Sequence, residues 1–382
     1  MIETFDVIVI GVGSMGAPAC YYLSKQGYKV LGIEQFAITH EFGSHAGQSR
    51  IIRKAYFEHS DYVPLLQRAY VNWKELENET GRQVYFKTGL LYAGVPHHEI
   101  IRGVKQSASL YNIELETVTD AEKIFPEFTF PENFEVLFEP EAGFVTPEQA
   151  IRLYAEQATK HGAAIHTNEK VLEWKKVGDG IEVITDKKIY RCGKLVITAG
   201  AWAGKMIPGL ADKIKVTRQF VAWMNSTDED NYALTHFPCW LIADDVKPGC
   251  FYGFPVLPEE KFGRPHGLKL AHHFPASATD PDNVNRQMSD KDFLNLEYCL
   301  QKYLPGVKGK MTDYKICLYA NSPDEHFIID KLPGFEEHVC IACGFSGHGF
   351  KFASVVGEIL ADIITTGKTS NPIGFLNAKR FI

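Results

Sequence analysis

Surplus positive charge is missing from this 382-residue chain: 40 lysines and arginines stand against 47 acids, for a net charge of -7 and a pI near 6.1. That balance excludes nucleic acid and anionic membrane as principal partners, although local cations can still hold a small anion. An uninterrupted apolar run is also missing. Val7 to Leu23 comes nearest, but Gly11, Gly13, Gly16 and Pro18 spoil it as a membrane span. The residues ahead of it carry Glu3 and Asp6 and no Lys or Arg, the wrong charge for a secretory leader. The expectation is a cytoplasmic protein with no membrane partner. Eight dispersed cysteines in a chain this long suggest reduced thiols and no disulfide framework. Cys340 and Cys343 form a C-x-x-C, yet VCIACGF reads as a buried strand, and a zinc site would need a second pair. No internal repeat, low-complexity tract or long linker divides the chain. Its length exceeds one comfortable core, and 45% hydrophobic with 23% charged residues is a soluble globular composition, so two domains are expected.

What the chain does have begins at once. In FDVIVIGVGSMGAPACYYLSKQGYKVLGIE, Asp6 to Ile10 is a short β-branched run suited to a buried parallel strand. Gly11, Gly13 and Gly16 follow in G-x-G-x-x-G spacing, with Ser14 and Met15 between them. A helix then runs through Lys25, Gly27 ends it, and Lys29 to Ile33 forms a second strand closing on Glu34. Gly11 permits the tight turn, Gly13 lets backbone approach a pyrophosphate, and Gly16 allows close helix packing. The helix N-terminus offers free N–H groups to phosphate. An acid at Glu34 suits a free ribose hydroxyl, hence FAD or NAD in preference to NADP.

Further along, HEFGSHAGQSRIIRKAY is dense in Gly, Ser, His and Arg and suits a loop against a ligand. Helices are predicted over residues 62–79, 100–112 and 290–303. A further helix should start at Thr146-Pro147-Glu148, with Thr146 as N-cap, Pro at the first position and an acid in the first turn, and end near Lys160. Strands are predicted over 88–95 and 133–145, in a meander over 165–192, over 194–200, and in short runs between Val216 and His273. Near the end, a strand over 338–344, a glycine loop SGHG and a helix over 350–365 form a second strand–loop–helix unit. Two separated glycine-loop units suit FAD better than NAD. The predicted fold class is α/β: a discontinuous Rossmann-like βαβ domain (1–87, 146–215 and 325–382) with an inserted, mainly antiparallel β substrate domain (88–145 and 216–324).

IGVGSMG, GSHAGQSRIIRKAY, YVPL, EPEAGFVTPE, YGFP, GLKLAHH, CLYANSPDEHFIID and GFSGHGFKFASVVGE occur in this order over nearly the whole chain. Together they resemble the monomeric sarcosine oxidase and N-methyltryptophan oxidase family of D-amino-acid-oxidase-like flavoproteins. The resemblance implies FAD attached to cysteine through its 8α carbon, O2 as electron acceptor, a small amino-acid substrate with a free carboxylate, and a monomer. By position, Cys317 matches the flavin-linked cysteine, although a lone cysteine is ordinarily just a buried thiol. Arg50 and Lys269 match cations beside the flavin ring, and Lys269 matches the lysine that activates oxygen. Arg53 and Lys351 match the pair holding the substrate carboxylate. Tyr252, His273, Tyr319 and His348 match side chains around the amine. Gly347, His348, Gly349, Phe350 and Lys351 should lie along flavin and substrate, with Ser44, Ser49 and Val171 also on the cofactor.

The family pattern GSHHGDTR reads GSHAGQSR here, so Ala46 replaces a histidine, Gln48 an aspartate and Ser49 a threonine. Loss of an imidazole alters polarity near the flavin, while Ser49 keeps a hydroxyl. The implied reaction is oxidation of a secondary N-methyl amino acid such as sarcosine to an imine, with H2O2 released. N-methyltryptophan, pipecolate and proline remain alternative substrates, and a same-fold dehydrogenase using another acceptor remains a rival. A non-enzymatic flavin scaffold is disfavoured, because clustered buried cations are costly without an anionic ligand.

Overall fold

The computed structural model describes residues 2–226, 228–273 and 276–382. Its first sheet has a parallel centre. Glu3–Ile10 lies between Val30–Ile33 and Ile189–Ile197, Ala164–His166 extends one side, and Val339–Cys343 pairs in parallel with residues 195–197 on the other. Val171–Val177, Gly180–Thr185 and Ile328–Lys331 add antiparallel edges. Strand alternation sends Val7, Val9, Val196, Cys340 and Ala342 toward the helices Gly16–Lys25, Pro147–Lys160 and Ala353–Thr366. Ile8, Ile10, Leu195, Ile197 and Ile341 pack on the opposite face with Ile181, Val183 and Ile207. Burial on both faces is why these strands read as continuous apolar runs.

The second sheet has eight strands, in the order Met311–Asn321, Lys215–Met224, Leu268–His273, Cys250–Gly253, Cys239–Ala243, Leu90–Gly94, Glu135–Glu139 and Glu116–Thr117. Every neighbouring pair is antiparallel except Cys239–Ala243 with Leu90–Gly94. One face buries Ala222, Trp240, Ile242, Phe251, Leu268 and Leu270 beneath the helix Asp290–Tyr303. Because side chains alternate, the other face presents Gln219, Val221, Cys317, Tyr319, Lys269, Ala271, His273, Cys250, Tyr252 and Leu241 toward the first sheet. The seam between the sheets is where the site forms. A small sheet joins Arg50–Ile52, Gly143–Val145 and Tyr85–Lys87 at its margin.

Most predicted elements are present with shifted ends, and three differ in kind. The stretch read as one strand over 133–145 is two, Glu135–Glu139 and Gly143–Val145. Thr146 does not cap its helix with its side chain; its hydroxyl donates to the Val84 carbonyl instead. Residues 350–352 form a 3₁₀ turn before the final α-helix, which ends at left-handed Gly367. The 11-residue strand Met311–Asn321 carries no clean alternation of hydrophobicity and was not expected. All eight cysteines are buried and unpaired, Cys340 and Cys343 within a buried strand. Among the described residues, no helix is long and apolar enough to cross a membrane.

Candidate active site

One cleft, with about 1980 Å³ of empty space counting its open mouth, runs along the seam. At one end lies the glycine turn. A Cβ at Gly11, where φ is +86°, would sit 2.6 Å from the Thr198 carbonyl oxygen, and one at Gly16 would sit 1.8 Å from the Gly11 carbonyl oxygen. Both positions are closed to any larger residue. A Cβ at Gly13 would meet nothing within 4 Å, so its open side faces the cleft beside Ser14 and Met15. The helix that follows has no acid in its first turn, leaving its positive end free for phosphate. Buried Glu34 accepts one N–H from Val12 and one from Phe36, each at 3.0 Å. Burial raises its pKa and those N–H groups oppose the rise. Each carboxylate oxygen keeps a lone pair for a ribose hydroxyl. His45 lines the same cleft with its Nε2 buried and unpartnered. A polar atom left so, in the cleft that also holds the glycine turn and Glu34, whose Oε1 has His40 Nε2 at 3.7 Å, fits a bound dinucleotide. Ser44 and Val171 line this wall too.

The other end is built from charge. Arg53 donates from Nη1 to the Ala55 carbonyl at 2.7 Å and from Nη2 to both oxygens of Glu58 at 2.9 and 2.7 Å. Its guanidinium lies 4.2 and 4.3 Å from the ring centres of Tyr56 and Phe57. Burial would raise the pKa of Glu58, but the Arg53 guanidinium, the largest opposing cause, brings it down to about 2. Lys351 donates to the His348 carbonyl at 2.7 Å, and burial followed by repulsion from Arg53 lowers its pKa to about 7. His348 Nε2 meets the Glu325 carbonyl at 3.1 Å, which requires a proton there. Its Nδ1 is therefore the acceptor for the Tyr56 hydroxyl at 2.6 Å. That neutral form agrees with a pKa pushed by burial to about 3. Tyr319 hydroxyl lies 3.1 Å from His273 Nδ1 and bonds Tyr252. Burial lowers His273 to about 4.

Between the ends, Arg50 donates to the Ser44, Ala46 and Ser49 carbonyls, and its Nη2 stands 3.7 Å from the Cys317 sulfur. The thiol points at the Ala46 carbonyl, 3.4 Å away. Gly347 has φ +81°, and a Cβ there would lie 2.3 Å from the Tyr319 ring, so backbone packs directly on that tyrosine. Gly347, His348, Gly349, Phe350 and Lys351 all line the cleft.

The cleft thus gathers every sequence-predicted site residue except three. Gly16 lies behind the turn, against Gly11. Ser49 and Lys269 sit one layer back: Lys269 Nζ is held by the Gly47 carbonyl at 2.5 Å, the Ser49 carbonyl at 2.7 Å and the Ser49 hydroxyl at 3.1 Å. Three carboxylates escaped sequence reasoning. Glu58 lies five residues from Arg53 in a loop with no periodicity to pair them. Glu139 is fully buried, receiving the Lys54 N–H at 2.6 Å and the Tyr92 hydroxyl at 2.7 Å, and so fixes the backbone after Arg53. Glu148 reads as a helix-start acid, yet it accepts the Gly47 and Gln48 N–H groups at 2.6 and 3.1 Å. The strand EVLFE carries a glutamate at each end, so nothing local singled out Glu139, and the other two gave no signal either.

Residues 6–363 match the family model DAO, FAD dependent oxidoreductase. Monomeric sarcosine oxidase of Bacillus sp. (strain NS-129) is 39% identical, over 98% of this chain and 97% of its own length. N-methyl-L-tryptophan oxidase of Yersinia pestis (strain Pestoides F) is 35% identical over 94% of both. Among solved structures, L-proline dehydrogenase from P. horikoshii superposes with a TM-score of 0.84 over 100% of this chain and 98% of its own, at 24% identity, a likeness of fold. With a glycine cradle, a ribose-ready acid and a match from end to end, the chain belongs to the DAO family of FAD dependent oxidoreductases, related to the monomeric sarcosine and N-methyltryptophan oxidases.

Proposed function

We propose that this chain oxidises a secondary amino acid such as sarcosine at its N-methyl carbon, with FAD as cofactor and O2 as acceptor. One observation carries the reading: a single cleft joins the glycine turn and Glu34 to two buried cations, Arg53 and Lys351. A dinucleotide and a carboxylate would share one continuous space, as oxidation of an amino acid requires. The names of the relatives, oxidases of sarcosine and of N-methyl-L-tryptophan, agree with it.

Bound FAD supplies the redox chemistry, accepting a hydride equivalent from the substrate and passing two electrons to O2. The chain supplies position and charge. Gly11, Gly13, Ser14, Met15 and Glu34 hold the pyrophosphate and ribose, with Ser44, Val171 and residues 347–350 along the cofactor. Cys317 is the proposed point of covalent attachment, and flavin that stays with the chain after denaturation would support it. Arg53 receives the carboxylate in bidentate fashion and Lys351 adds a point charge. Glu58 occupies Arg53 beforehand, so the carboxylate must displace it or share the guanidinium. Neutral His273, Tyr252, Tyr319 and His348 surround the amine without adding a repelling charge. Arg50 contributes positive charge where negative charge develops on oxygen, and Lys269 joins it in its protonated form: burial and then Arg50 push its pKa well down, while three oxygen acceptors around Nζ match the three N–H groups of an ammonium. The released imine hydrolyses; for sarcosine the balance is sarcosine, O2 and water to glycine, formaldehyde and H2O2. Residues 1–87, 146–215 and 325–382 would form the cofactor unit, and 88–145 with 216–324 the substrate unit, acting as a monomer.

The test is the visible spectrum of the purified protein, recorded anaerobically before and after adding sarcosine. Bleaching of the oxidised-flavin band supports the reading. A yellow protein that does not bleach directs the search to N-methyltryptophan, pipecolate or proline, and a colourless one with no recoverable flavin overturns it. One observation favours the dehydrogenase alternative: all three N–H groups of Lys269 are engaged behind the cleft wall. Reduced enzyme that transfers electrons to a dye but ignores O2 would decide for it.

A further inference from the structure

The turn of residues 47–49 is held from every side. Gly47 has φ +114° and Gln48 φ +67°, a left-handed backbone that a non-glycine residue takes only when fixed by its surroundings. From below, the Glu148 carboxylate accepts both N–H groups of Gly47 and Gln48. From above, the Gln48 amide is spent completely. Its Nε2 reaches the Gly263 and Pro265 carbonyls at 2.9 and 2.8 Å and the Phe262 carbonyl at 3.4 Å, while its Oε1 accepts Trp223 Nε1 at 3.0 Å. These bonds orient the Gly47 and Ser49 carbonyls that meet Lys269 Nζ, whose flanks are the rings of Trp223 and Phe254 at 5.6 and 4.4 Å.

We propose that Gln48, backed by Glu148, is a positioning residue that sets the place of the Lys269 ammonium through the 47–49 turn. This rests on the reading that Lys269 acts in the oxygen step. An ammonium held by three fixed oxygens cannot wander; loosen the turn and the charge shifts relative to the cleft by the length of a side-chain bond or more. Such a displacement costs the oxygen step most, because the carboxylate and amine contacts lie on Arg53, Lys351 and the tyrosines, while the other cation tied to the turn, Arg50 on the Ser49 carbonyl, is also held by the Ser44 and Ala46 carbonyls. Among the described residues the Gln48 side chain bonds only backbone carbonyls and the Trp223 indole, so its route to the reaction runs through Lys269 and, by way of the Ser49 carbonyl, Arg50.

The experiment uses the flavin-loaded enzyme and the variants Gln48→Ala, Trp223→Phe and Lys269→Met. Rates of reduction by the amine and of reoxidation by O2 are measured separately, together with hydrogen exchange over residues 43–50. Gln48→Ala is expected to slow reoxidation about tenfold, leave reduction within about twofold, and raise exchange at 47–49. Trp223→Phe, which removes one bond to Gln48 and keeps the ring, should do the same more weakly, and it serves alone if Gln48→Ala does not fold. If Lys269→Met slows reoxidation while the Gln48 and Trp223 variants do not, the positioning role is overturned and the Lys269 reading stands. Equal losses in both half-reactions also overturn it, since they mark a structural role only. If Lys269→Met leaves reoxidation unchanged, both ideas fall.

Discussion

The two ends of the cleft are made by opposite means. The nucleotide end comes chiefly from one contiguous stretch, Glu3 to Phe36, with Ser44, His45, Val171 and Thr198 added along its wall, and it is built mainly of backbone: missing Cβ atoms, a helix terminus and one acid bound to main-chain N–H groups. The reacting end is assembled from Arg53, Glu58, Tyr252, His273, Tyr319, His348 and Lys351, brought from the length of the chain and built almost wholly of side chains. A backbone site tolerates few substitutions and responds little to pH. A site of buried charges is held by mutual compensation, so removing one member strands the others.

The largest effect expected follows from that contrast. Arg53→Met leaves the half-buried Glu58 without its guanidinium and should lower stability by about 2–3 kcal/mol in denaturant unfolding, below the range for a fully buried pair, with activity lost. Adding Glu58→Gln should restore most of the stability and none of the activity; recovery of turnover would mean that Arg53 does not hold the substrate. At the other end, Gly16→Ala drives a Cβ into the Gly11 carbonyl and should cost about 1–3 kcal/mol together with flavin retention, read from the melting curve and the absorbance of the purified protein. The pH response should separate the ends next. Lys351, lowered to about 7, is cationic below that pH and neutral above it. Acetate binding near Arg53 should therefore be flat between about pH 6 and 7, where acetate stays ionised, and weaken above that by up to about tenfold per unit, and Lys351→Met should abolish the slope. Flavin affinity should show no such step. The smallest change in the fold is expected of Gly13→Ala: the ligand-free protein should unfold within about 0.5 kcal/mol of the parent, yet bind FAD at least about tenfold more weakly. Unchanged FAD affinity would remove Gly13 from the phosphate contact.

The same contrast explains what was legible in the sequence. Gly11, Gly13, Gly16 and Glu34 announce themselves, since a backbone site needs particular residues at fixed short spacings. Lys269 shows the intermediate case. Leu268 and Leu270 beside it mark a buried strand, though alternation sends them to the other face of the sheet, and nothing local reveals that Gly47 and Ser49 cover Lys269. Arg53, Lys351, Tyr252 and His273 were placed only by their resemblance to a family, because each by itself is a commonplace structural residue. Glu58, Glu139 and Glu148 were missed for a stronger reason: their partners are loop backbone or a loop arginine, and pairings across loops leave no periodic trace. The strand Met311–Asn321 was missed likewise, its inner positions spent on Cys317 and Tyr319 and its outer half exposed.

The pairing of Glu3–Ile10 and Ile189–Ile197, with Val339–Cys343 alongside, has a consequence for how the protein is made. The first strand is synthesised more than 300 residues before the last parallel strand and the 347–351 loop. At roughly 5–20 residues per second, the nascent nucleotide half waits about 20–70 s with an open edge. Flavin capture is thus a late event in biosynthesis, and a message truncated before residue 339 should yield a chain that never turns yellow.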